Sequence, residues 1–112
     1  MTDRVPKINQ LLKREIGRLL LEEVEFPKDT LVTLTRVESS NNLQQAKVYI
    51  SVIPEDRNEE VIDILKRRIR YIQAIINRRL RMRPVPRIIW TRETMTGEAE
   101  RIDEIVEEIK NK

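Results

Sequence analysis

The sequence has no cysteine and no histidine among its 112 residues, only two glycines, and 4% aromatic residues. Each absence excludes chemistry. Without cysteine there is no disulfide scaffold, no zinc-thiolate site and no thiol nucleophile, and without histidine the commonest general base and metal ligand is gone. No apolar run approaches the roughly 18–20 residues that cross a bilayer. The opening residues 1–10 have neither the apolar core nor the cleavage site of a secretory leader. These features predict a cytoplasmic protein without a membrane partner. The remaining acids, such as Glu100, Glu104, Glu107 and Glu108, fall at the spacing of a solvated helix face rather than in a pocket. The expectation is a non-enzyme with no metal, no cofactor and no small-molecule substrate.

What the chain has is hydrophobic pattern and charge. With 39% hydrophobic and 37% charged residues it is too apolar and too periodic to be disordered, and its length suits one domain over residues 1–112. The net charge of +3 conceals segregation. Residues 25–60 hold four bases and seven acids, and residues 93–112 three bases and seven acids, whereas residues 61–92 hold ten bases and the single acid Asp63. Nine of those ten are arginine, whose planar fork matches phosphate oxygens in bidentate fashion. A solvated helix face ordinarily mixes both signs, so a block of one sign points to a polyanion such as nucleic acid.

Ile8, Leu11, Leu12, Ile16, Leu19 and Leu20 lie at helical spacing, with Pro6 suited to the first turn and Gly17 open to close packing. Leu31 to Glu38 and Gln45 to Ile53 read as two strands of an antiparallel hairpin around Ser39-Ser40-Asn41-Asn42, with Ala46, Val48, Ile50 and Val52 on the core side. Val61, Leu65, Ile69, Ile72, Ile76 and Leu80 then predict a helical segment of about twenty residues. At 100° per residue, Lys66, Arg67, Arg70, Arg78 and Arg81 share a sector of about 120° opposite that stripe. Arg68 and Arg79 fall at its apolar edge, a misfit that a kink near the middle would relieve. Pro84 and Pro86 stop the helix. Arg87 to Thr91 reads as a third strand whose prolines favour an edge or a strand-entry position, and Thr96 as the cap of a final helix carrying Ile102, Ile105, Val106 and Ile109 on one stripe.

This order of elements makes an α+β chain that resembles the type II K-homology (KH) fold. Particular residues narrow the resemblance: Arg4-Val5, the run Val32-Thr33-Leu34-Thr35-Arg36-Val37, the strand Ala46-Lys47-Val48-Tyr49-Ile50-Ser51-Val52, and the junction Leu80-Arg81-Met82-Arg83-Pro84-Val85-Pro86. In that order they are similar to the ribosome-binding factor A family over roughly residues 4 to 109. The resemblance implies a three-stranded sheet packed on helices. It also implies a monomer that binds the immature small (30S) ribosomal subunit and its 16S ribosomal RNA, and assists late RNA processing without catalysis. Its RNA-binding residues here would be Lys66, Arg67, Arg68, Arg70, Arg78, Arg79, Arg81 and Arg83.

Two departures stand out. Family members usually kink the long helix at Ala-x-Gly, where this chain has Arg68-Ile69-Arg70, and often carry an acid where this hairpin has Asn41-Asn42. The GxxG clamp of sequence-reading KH modules is absent. Phe26, Tyr49, Tyr71 and Trp90 are the only aromatics, and each reads as core or sheet surface more readily than as a stacking platform. Recognition is therefore expected through backbone shape and charge. The alternative reading is a protein-interaction module that dimerises through the 61–80 helix.

Overall fold

The computed structural model describes residues 4–94. The helix expected after Thr96 lies outside them. The apolar spacing of the first segment puts Leu12, Ile16, Leu19 and Leu20 in the core along one side of α1 (Arg4–Glu23). The hairpin follows as β1 (Leu31–Ser39) and β2 (Gln45–Ile53), antiparallel, with Leu34 opposite Ile50 and Val37 opposite Val48. A register shift between Leu34 and Arg36 sets Thr35 apart as a bulge. The strict alternation of β2 is realised: Ala46, Val48, Ile50 and Val52 are all buried. In the turn, the Asn42 Oδ1 accepts hydrogen bonds from the Ser40 hydroxyl at 2.7 Å and the Gln44 N–H at 3.1 Å. An asparagine oxygen thus does what a carboxylate oxygen would do at the same place.

After a 3-10 turn over Glu55–Arg57 come α2 (Asn58–Arg67), α3 (Ile69–Arg79) and β3 (Arg87–Arg92). The sheet order is β1-β2-β3, with β3 parallel to β2 on the edge that its flanking prolines predict. The helices cover one face, and Leu12, Ile16, Ile50, Val61, Leu65, Ile72 and Ile76 meet in a single core.

The kink expected near the middle of the long helical segment is present and needs no glycine: α2 gives way to α3 at Arg68, whose φ of −96° and ψ of 6° fall in the bridge region open to any residue type. The Arg68 N–H still reaches the Ile64 and Leu65 carbonyls at 3.1 and 3.2 Å, so the break costs little hydrogen bonding. Gly17 does not serve close packing, because a Cβ there would meet nothing within 4 Å.

Candidate nucleic-acid interface

All the arginines of the block are exposed, and helical phase decides which of them turn away from α1. In α3 the core side is Ile72, Ile75 and Ile76, and in α2 it is Asn58, Val61 and Leu65. Lys66, Arg67, Arg70 and Arg78 point away from those residues and are exposed. Arg81 and Arg83 are exposed as well, but α3 ends at Arg79 and Leu80 is extended, with φ −95° and ψ 144°. The ridge expected on one rod is therefore carried by three pieces: α2, α3 and the extended segment after α3. Among the described residues none of these six bases forms an ion pair. Arg83 donates from Nη1 to the Met82 carbonyl at 2.9 Å.

The two bases that misfit a straight helix have other partners. Arg79, at the core edge of α3, places its guanidinium 3.7 Å from Glu15 and 3.5 Å from Glu22 of α1. Arg68, at the break, donates to the Glu23 carbonyl at 3.1 Å and lies 4.8 Å from the centroid of the Tyr71 ring. The Tyr71 hydroxyl donates to the Glu23 carboxylate at 2.8 Å. That hydrogen bond, more than any other influence, pushes the Tyr71 phenol above its ordinary pKa. Arg68 and Arg79 thus tie α3 to α1, and the outward bases remain available to an anion.

Gln73 has no counterpart in the sequence reading. Its Nε2 donates to the Pro86 carbonyl at 3.1 Å, and its Oε1 accepts from the Ile88 N–H at 2.9 Å. These bonds fasten the start of the edge strand to α3 and fix the course of the segment that carries Arg81 and Arg83. Nothing in the spacing of a half-buried glutamine announces this. Arg87, at the start of β3, is exposed too, but strand alternation sets it opposite the buried Ile88, on the open face of the sheet rather than among the bases of α2 and α3.

On the open face of the sheet Arg36 stacks 4.0 Å over the Tyr49 ring and pairs with Glu38 at 3.0 Å and Glu93 at 3.1 Å. Trp90 is half-buried against the core. Neither ring is presented as a stacking platform. Among the described residues no group of three or more His, Cys, Asp or Glu side chains is placed to hold a metal ion, and no helix is long and apolar enough to cross a membrane. The chemistry this surface offers is guanidinium recognition of oxyanions.

A three-stranded sheet covered by helices on one face, with a basic outer helical surface, defines a KH-like domain. The family model described as ribosome-binding factor A matches residues 4–106. The chain belongs to the ribosome-binding factor A family, and is thereby a ribosome-associated factor. Ribosome-binding factor A of Desulforamulus reducens is 31% identical over 99% of this chain and 93% of its own length. That of Caldanaerobacter subterraneus is 33% identical over 97% and 91%. The crystal structure of the Thermus thermophilus protein superposes with a TM-score of 0.69 at 25% identity, covering 79% of this chain and 94% of the other.

Proposed function

We propose that this protein binds the small ribosomal subunit through phosphates of its 16S ribosomal RNA and assists late processing of that RNA without catalysing a reaction. The observation that carries the reading is the set of exposed bases Lys66, Arg67, Arg70, Arg78, Arg81 and Arg83, none of which is in an ion pair among the described residues. Support comes from the Thermus thermophilus relative, a homology model of which was fitted into a cryo-EM map of a 30S complex; it superposes on this chain with a TM-score of 0.67 at 27% identity. Arg67, Arg70, Arg78 and Arg81 make the phosphate contacts, with Lys66 and Arg83 supporting them. Arg68 and Arg79 act through the fold, holding α3 against α1.

Binding to purified small subunits tests this. Log affinity should fall linearly with log salt, by about 0.7–0.9 per phosphate contact. Reversal of Arg78 and Arg81 together to glutamate should abolish binding while the thermal midpoint stays nearly unchanged, because among the described residues neither side chain has an ion-pair or hydrogen-bond partner to lose. Affinity that is flat with salt, or preference for the large subunit, refutes the proposal.

The dimerisation alternative loses its surface. Val61, Leu65, Ile72 and Ile76 are each 0% exposed within one chain, so the stripe that would pair two copies already fills the core.

A further inference from the structure

Four aromatic residues occur in the chain, and three have a place in the fold: Phe26 and Trp90 pack against the core, and Tyr49 lies on the open face of the sheet beneath Arg36. Tyr71 has none of these places. It sits in the first turn of α3 and is 45% exposed, the only aromatic among the exposed large apolar side chains of the described residues. Arg68 lies over its ring, 4.8 Å from the centroid. Both side chains are anchored on Glu23, at the end of α1: Arg68 Nη2 donates to its carbonyl at 3.1 Å, and the Tyr71 hydroxyl to its carboxylate at 2.8 Å. The phenol and the guanidinium therefore form a fixed pair. With the hydroxyl tethered and one face of the ring beneath Arg68, the exposure of Tyr71 falls on the rest of the ring.

The pair is set among the outward bases. Arg67 ends α2 immediately before Arg68, and Arg70 precedes Tyr71. Arg78 follows Tyr71 by seven residues, which returns it to within about 20° of the same helical angle, about 10 Å along the axis. Between them on that side stand Ala74, exposed with only a methyl group, and Ile75, which is buried. The bond to Glu23 is the main influence on the Tyr71 phenol, but the charge of Arg78 reaches it too. An immobilised, exposed ring and guanidiniums free to take phosphate thus lie side by side, and unpaired bases stack on rings and guanidinium planes of this kind.

We infer that the Tyr71–Arg68 pair is a stacking site for one unpaired base of a single-stranded RNA segment whose phosphates lie on Arg67, Arg70 and Arg78. The inference rests on the RNA-phosphate reading above and adds to it a class of RNA, because a paired base is held within the stack of its own helix and cannot reach the ring. Glu23 holds both partners in place before RNA arrives, so little ordering is left to be done on binding. A Tyr71 that only tied α3 to α1 would make the same bonds and would be indifferent to whether the RNA carries bases.

The full chain is titrated, over a range of salt, with a short single-stranded oligouridylate and with an abasic ribose-phosphate strand of the same length. The parent should bind the oligouridylate about five- to 100-fold more tightly, the usual effect of one stacked base. Tyr71→Phe should keep that ratio, and Tyr71→Leu should bring it close to one. Both variants lose the hydroxyl's bond to Glu23, so the difference between them reads the ring. Arg78→Gln should do the reverse, lowering the salt slope by about 0.7 while leaving the ratio as it was. Equal affinity of the parent for the two strands, or a ratio that survives Tyr71→Leu, overturns the stacking site; a steep salt slope in the same titration leaves the phosphate reading standing. Affinity without a salt slope overturns both.

Discussion

Arg78 and Arg79 are neighbours with different fates. One residue is 100° of helix rotation, enough to turn Arg78 into water and to bring Arg79 within ion-pair distance of Glu15 and Glu22. The same local geometry tunes the tyrosines. Tyr49 is pushed above its ordinary pKa of 10.0 by burial first, then by the hydrogen bond it donates to Glu38 and by that carboxylate's charge, against the lowering effect of Arg36. The folded chain therefore keeps a phenol proton that the unfolded chain releases. This contribution to stability is complete below pH 10 and is lost as pH rises through the raised value. Tyr49→Phe keeps the ring over Arg36 and removes the titrating hydroxyl. In urea unfolding, the stability difference between parent and variant should be constant up to about pH 9 and shift against the parent above that. Parallel curves through pH 11 would show that Tyr49 does not titrate differently on folding.

Among the elements, β3 depends most on a single side chain. Gln73→Ala would leave the Ile88 N–H and the Pro86 carbonyl without the partners they have in α3. The expected loss is about 1–3 kcal/mol in denaturant unfolding, and a loss of a few tenths would mean that water replaces the glutamine. Elements of strong period were legible in the sequence. Ala46, Val48, Ile50 and Val52 announced β2 and its buried face, and the apolar spacing of Val61 to Leu80 announced helix. The break at Arg68 was legible only as a misfit of phase, because the backbone bends in a region any residue can adopt and so needs no glycine. The basic block was plain by count, but its division into arginines that bond to α1 and arginines that do not depends on where α1 lies, which only long-range packing decides. Gln73 left no signal for the same reason.

For the molecule as a whole, the core takes Val61, Leu65, Ile72 and Ile76 of the apolar stripe, with Ile69 partly buried against them, so sedimentation of the full chain without RNA is expected to show one species at the chain mass of 13.4 kDa. A stable dimer would require an interface elsewhere. The central position of β2 has a further consequence, for the order in which the structure can be made. Its antiparallel neighbour β1 is joined to it by a short turn and can pair as soon as Ile53 has been synthesised. Its parallel neighbour β3 cannot pair until α2, α3 and the segment holding Arg81 and Arg83 have all been made. Local contacts form early and distant ones late. On a chain growing from its amino end, the basic surface therefore takes its final shape only when the last strand closes, and a chain cut short before Arg92 would carry the arginines without the frame that holds them.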